Sequence, residues 1–391
     1  LLIFIIFLAF AIRTSPVQTY LANQAASYLS DELGAEIKID QLTVIFLDKV
    51  ELEGVLIRDQ SGDTLLAAQS IFASVDDYNF KKRLFHLGEV EIKRANIGLE
   101  RDTAGIFNYQ FIQDYFIPKK KTKKKFTLIV DNVSLSNSHF SFDDNRHERK
   151  AYGIDYFHIK AAGINAKVND FKIENREYFG TIESVNCREK SGFELENLYT
   201  EVKVASSGVY LSNVKIESPG SKIEAEKFNM LSTGFVDFKS FVDSVTFDAR
   251  IDKSTIDMSE GALFAPILAG MNDTIRLRTG IYKKVKNLRL ANLDLRIKDK
   301  TQIKGTFNIP DFRKFDQGFF HEIVDYVYVD VHELKQIRLP DATSNHYIGV
   351  NEVIERLGFF QATDVRFDGF RSQFVIASQK VRTRLGGIRM D

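Results

Sequence analysis

The residues able to do chemistry are few and do not converge in the sequence. Cys187 is the single cysteine. It lies between Glu183 and Arg188, and a thiolate beside a cation can act as a nucleophile. No motif surrounds it, and one thiol allows no disulfide within the chain. His139 and His147 flank Asp143 and Asp144, with Glu148 following. A metal centre would need ligands at fixed spacing, such as His-Glu-x-x-His, and the sequence contains none. Acidic pairs such as Asp76–Asp77 stand in turn-like settings. There is no Gly-x-Ser-x-Gly, Walker loop or Gly-x-Gly-x-x-Gly. The chain therefore reads as a non-enzyme, with no catalytic residue, metal or cofactor assigned.

Composition narrows the classes further. The 53 Lys and Arg balance the 53 Asp and Glu, which argues against a dedicated nucleic-acid binder. The run KKKTKKK at residues 119–125 reads as a solvated loop rather than a patch for headgroups or nucleic acid. Hydrophobic residues make up 44% of the 391, enough for an ordered chain. The aromatic content is lopsided, with 33 Phe, 14 Tyr and no Trp. Phe offers a large apolar ring and no polar handle. That bias suits either a dry surface or a Phe-rich core.

The elements that would position such residues change character along the chain. Residues 1–14 open with an unbroken apolar run: Leu1, Leu2, Ile3, Phe4, Ile5, Ile6, Phe7, Leu8, Phe10 and Ile12 belong to it. The run is short for a membrane span, which takes about 20 residues, and has the length of a signal-peptide core. No small-residue cleavage site follows, so the expectation is an uncleaved transmembrane anchor, truncated at its start. Residues 15–34 then predict an amphipathic helix. Ser15 suits the N-cap, Pro16 the first turn and Gly34 the C-terminal stop, with Val17, Leu21, Ala25, Tyr28 and Leu29 at helical spacing.

From residue 35 to 391 the period becomes two. Ile37, Ile39, Leu42, Val44 and Phe46 alternate with polar residues, as do Phe126, Leu128 and Val130. Strict alternation gives a strand one dry face and one wet face. A unit also repeats without gaps. Val90, Ile92, Ile97 and Leu99 align with Val133, Leu135, Phe140 and Phe142, and with Leu288, Leu290, Leu295 and Ile297. A looser copy, with two inserted residues, is Val365, Phe367, Phe374 and Ile376. Two apolar pairs flank a polar kink, often near Asn (Asn96, Asn137), so each copy is either a bent strand or two strands with a tight turn. Short helical insertions are expected near 106–116, 259–268 and 310–340, with Ser259 as a cap and Pro266 cutting the second short.

The order of these features resembles the N-terminal part of the TamB (translocation and assembly module B) family in its Bacteroidota form, within the AsmA-like superfamily. The residues that carry the resemblance are TSPVQTYLANQAASYLSDELGAEIKID at 14–40, LEGVLIRDQSGDTLLAA at 52–68, VEIKRANIGLERDTAGIFNYQFI at 90–112 and the block at 258–297. The resemblance implies a mainly β fold: an elongated, curled antiparallel β-sheet, taco- or groove-like, behind an N-terminal transmembrane helix. It also implies an inner-membrane, single-pass protein with its body in the periplasm of a Gram-negative bacterium. Such a protein would conduct phospholipid toward the outer membrane and work with a TamA-like outer-membrane barrel through a C-terminal region not present here. The twenty apolar residues just named between Ile37 and Ile297 are then the candidates for contact with phospholipid acyl chains. The alternative is a structural tether whose alternating residues fill a closed core, or a chaperone for outer-membrane protein insertion and secretion that pairs its exposed strand edge with its clients.

Overall fold

The computed structural model describes residues 15–45, 48–79, 83–116, 127–311, 318–339, 347–370 and 373–389. The expected anchor at 1–14, the lysine run, Phe46 and Phe126 lie outside them. The fold is mainly β, and its contacts divide the chain into two compact units, residues 1–198 and 199–391.

The first unit begins with helix α1 (Ser15–Leu33), ended by Gly34 at φ 62°. Strands β1 (Ile37–Lys38), β2 (Gln41–Ile45), β3 (Lys49–Arg58), β4 (Thr64–Asn79), β5 (Leu84–Lys93) and β6 (Asn96–Arg101) follow. Then come α2 (Gln110–Phe116), β7 (Thr127–Asp144), β8 (His158–Glu174), β9 (Glu177–Glu189) and β10 (Glu194–Leu195). No described helix is long and apolar enough to cross a membrane.

The face α1 buries differs from the predicted stripe. Gln18, Ala22, Ala26 and Leu33 are buried, whereas Val17 and Leu29 are half-buried and Tyr28 is exposed. The reason is the strand beside it. An edge strand leaves backbone groups unpaired, and α1 pairs them. Val44 N donates to Gln18 Oε1 at 2.8 Å, and Leu42 N to the Thr19 hydroxyl at 3.2 Å. A polar side chain is thus drawn inward at a position where periodicity alone asks for an apolar one.

Most of the described strand pairings are antiparallel. β5 and β6 both pair parallel to β7. Parallel neighbours need a crossover of a dozen residues or more, and residues 102–126, holding α2, supply it. The register of this junction is the sequence repeat itself. Val90 faces Val133, Ile92 faces Leu135, Ile97 faces Phe140 and Leu99 faces Phe142. A wholly antiparallel sheet was the expectation, and this junction corrects it.

The polar kinks are single residues in the left-handed region. Arg94 (φ 49°) separates β5 from β6, Asn137 (φ 47°) bends β7, and Asn292 (φ 52°) bends the third copy. Asn96 is not the bend. In β3 the same job falls to Gly54 at φ 61°, where a Cβ would stand 1.9 Å from the Asp40 carboxylate. Each bend inserts an extra residue and frees ladder groups from their partners. Serine hydroxyls recover them: Ala95 N donates to Ser138 Oγ at 2.9 Å, and Ser138 Oγ donates to Ser136 O at 3.0 Å.

The second unit is an antiparallel meander. It runs through β11 (Asn197–Ala205), β12 (Gly208–Glu217), β13 (Lys222–Leu231), β14 (Thr246–Asp257), β15 (Thr274–Lys284), β16 (Arg289–Ile297) and β17 (Thr301–Asn308). It closes with β18 (Phe319–Asp330), β19 (Phe359–Phe370), β20 (Gln373–Ala377), β21 (Lys380–Thr383) and β22 (Gly386–Arg389). Short helices α3 (Phe241–Ser244), α4 (Met258–Phe264), α5 (Val331–Leu334) and α6 (Glu352–Leu357) interrupt it. Helix α4 sits where one was expected, but Asp257, not Ser259, is its cap: the Asp257 carboxylate accepts from Ser259 N at 2.7 Å. Of the third expected helical stretch, Phe319–Asp330 is strand, and among the described residues helix is confined to Val331–Leu334.

Helices α4 and α5 share a device. Asp257 and Asp330 are their caps, and a glutamate three residues on reaches to a hairpin turn nearby. Glu260 accepts from Gly220 N at 2.8 Å and from the hydroxyls of Ser218 and Ser221. Glu333 accepts from Lys300 N at 2.9 Å, Thr301 N at 2.8 Å and Thr301 Oγ1 at 2.8 Å. Burial works to raise the Glu333 carboxyl, but these hydrogen bonds outweigh it and hold it below its ordinary value. A turn whose amides point outward is thereby closed from within the chain.

Candidate functional site

The candidate site is an apolar face, and its depth is graded by residue size. In the first unit Val55, Ala68 and Ala95 form a buried floor. Leu52, Ile57, Leu66, Ile71, Ile92, Ile97 and Leu135 pack on it. Three expected residues, Ile92, Ile97 and Leu135, are thus brought together by the parallel junction. Leu52, Ile57, Leu66 and Ile71 are additions that the sequence reading missed. Their signal is present as alternation in β3 and β4, which lie outside the repeated unit.

The remaining candidates take defined places in the same unit. Ile37 pairs with Ile57, Leu42 with Leu52 and Val44 with Val50. Ile39 lies between β1 and β2. Leu128 faces Phe85, and Val130 faces Leu87. In the second unit Leu290 faces Ile281, Leu295 faces Leu277 and Ile297 faces Ile275. Leu288 ends a short 3-10 turn just ahead of β16.

Exposure distinguishes a groove from a closed core. Of the described candidates only Val130, at 4%, is buried; the others are all half-buried. Although the chain holds 33 Phe, no described Phe is buried. Half of the described buried hydrophobic residues are alanines. A closed sandwich packs its largest apolar side chains deepest, at the density of an organic crystal. Here alanines make up half of the described buried apolar residues, and all but one of the described candidates stay partly open.

The polar groups weighed in the sequence take defined places. Asp144 is buried and accepts from Arg146 Nε at 2.8 Å and Nη2 at 2.6 Å, with Arg101 Nη1 3.7 Å away. The Arg146 hydrogen bond dominates in lowering its pKa to about 2. Asp143 pairs with Arg149 at 2.7 Å, and His147 stacks on Phe157 with centroids 3.7 Å apart. Asp155 is buried. Its desolvation is outweighed by hydrogen bonds from Lys150 N at 2.9 Å and His158 Nδ1 at 2.9 Å, so its carboxyl is held low. Cys187 is half-buried opposite Leu195, and burial pushes its thiol up, the wrong direction for a nucleophile. Asp76 and Asp77 stand not in a turn but within β4.

Beside α1 an open cleft of about 930 Å³ is lined by Ser27, Ser30, Ile37, Lys38, Ile39 and Arg58, among others. Its two cations are already engaged, since Lys38 pairs with Glu36 and Arg58 Nε lies 2.7 Å from the same carboxylate. The cleft is therefore no ready-made anion site.

The chain is, in class, a mainly β protein of bent strands with a partly open apolar face. In comparisons with known proteins, no family model, curated protein or solved structure matches it.

Proposed function

We propose that this protein holds lipid acyl chains along its apolar face, as a phospholipid conduit between the inner and outer membranes in envelope biogenesis. In this reading the sheets curl into an elongated groove, residues 1–14 anchor the chain in the inner membrane, and the body stands in the periplasm. The single observation that carries the reading is the half-open apolar face with no described Phe buried beneath it. An acyl chain laid on that face leaves water, at about 0.8 kcal/mol per CH₂. Strands spaced ~4.8 Å apart present similar contacts in succession. A lipid moving onward exchanges like for like, so its energy profile is nearly flat. Headgroups would ride at the rim, in water. The likeness to TamB supports the placement in the envelope and a TamA-like barrel as the distal partner.

A photoreactive residue in place of Leu128 or Phe140 tests this in cells. Phospholipid should be captured at both positions after irradiation. Capture of no lipid at either would overturn the reading and leave the tether or chaperone role. Phe140→Asp combined with Phe142→Asp should abolish lipid capture at Leu128 while the circular dichroism of a β protein persists. Loss of folding in that variant would instead indicate a closed core.

A further inference from the structure

Asp76, His86 and Asp131 come from three adjacent strands, β4, β5 and β7, and no local motif joins them. Their nearest ligand atoms all lie within 4.8 Å of one another. His86 Nε2 is 2.9 Å from Asp131 Oδ1. The third member is aimed at the pair by an irregularity in its strand. The β4–β5 register shifts twice, between Ala73 and Val75 and again between Val75 and Asp77. Such bulges re-aim side chains at the cost of ladder hydrogen bonds. On β5, two residues beyond His86, stands Gly88, where a Cβ would lie 2.7 Å from Asp76 Oδ1. Room for the Asp76 carboxylate thus depends on the missing side chain.

An ordinary His–Asp pair accounts for His86 and Asp131 but not for Asp76. No described Lys or Arg forms an ion pair with Asp76 or Asp131. Two carboxylates therefore converge on one imidazole with no described basic side chain to balance them. One nitrogen with two carboxylate oxygens suits a divalent transition ion such as Zn²⁺ or Mn²⁺ more than a hard cation, which prefers oxygen alone. Metal bonds of about 2.0–2.2 Å set neighbouring ligands some 3–4 Å apart, a closure that rotation of the exposed Asp76 side chain supplies.

We propose that Asp76, His86 and Asp131 form a divalent transition-metal site that ties β4 and β5 to β7. The ion binds His86 Nε2 and one oxygen of each carboxylate, with water in the remaining positions. The inference stands independently of the lipid reading.

Calorimetric titration of the full chain with Zn²⁺, and separately with Mn²⁺, tests it. One ion per chain should bind, with affinity lost in His86→Ala and reduced roughly tenfold or more in Asp76→Asn. Asp76→Asn is the decisive variant, because its carboxylate forms no ion pair with any described residue and the protein should fold as before. Absence of saturable binding of either ion would overturn the proposal, and so would binding that Asp76→Asn leaves unchanged. Cobalt substitution gives a second readout: the visible absorption of the bound ion should vanish in His86→Ala.

Discussion

The copies of one sequence unit fold in two ways. Residues 90–99 and 133–142 are bent strands lying side by side in parallel register. The looser copy at 365–376 is a hairpin, in which Phe367 faces Ile376 and Gly369 faces Phe374. The apolar pairs are alike and the connections differ. A single left-handed residue, Arg94 or Asn137, tilts a strand and lets it continue. Two further residues give enough chain to reverse direction. Whether a copy continues as a bent strand or folds back on itself is therefore set by the link between its apolar pairs.

The largest expected effect tests the floor under the bent copies. Ala95 is fully buried, and Ala95→Leu should destabilise the protein by about 2–3 kcal/mol through overpacking. Urea unfolding measures this. A cost under about 0.5 kcal/mol would mean that the floor is not close-packed.

Next in size is the plug at the meander's end. Glu333→Ala leaves the amides of Lys300 and Thr301 without their acceptor. We expect a loss of about 2 kcal/mol. Faster amide exchange confined to residues 299–301 would separate this from a general loosening.

The hydroxyls compare the two kinds of copy directly. Ser138→Ala strands the buried Ala95 N–H and should cost about 1–2 kcal/mol. Ser378, just past the hairpin copy, donates to Thr363 O at 3.0 Å from a more open position. Ser378→Ala should cost less than about 0.5 kcal/mol. Equal costs would erase the distinction.

Acid should weaken the first unit through Asp144. Its folded pKa, about 2, lies below the ordinary 3.8. Its contribution is therefore complete above about pH 4 and is lost as pH falls toward 2. The stability gap between the parent and Arg146→Ala should close over that window; a gap constant with pH would remove Asp144 as the cause. Smallest is Asn137→Gly, which relieves a left-handed residue at φ 47° and should stabilise the bend by about 0.5 kcal/mol.

Much of this fold was legible in the residues. Alternation marked the strands, and the ungapped repeat contained the register later seen between Val90 and Val133. Asn137 marked a bend because Asn tolerates the left-handed region. Arg94 carried no such mark, and the sequence reading pointed to Asn96 instead. Gln18 was invisible as a buried residue, since only an unpaired edge strand explains it. The cluster of Asp76, His86 and Asp131 was equally invisible, because its members stand on three separate strands.

By itself the sequence determined where most of the strands occur and that Asn137 bends one of them, because alternation and left-handed tolerance are local properties of the chain. It determined too that each strand has one dry face. Only the tertiary structure decided which strands are neighbours, that one junction is parallel, and that alanines rather than phenylalanines lie deepest. Those features depend on contacts between residues far apart in the chain, and a period of two is the same whichever partner a strand finds.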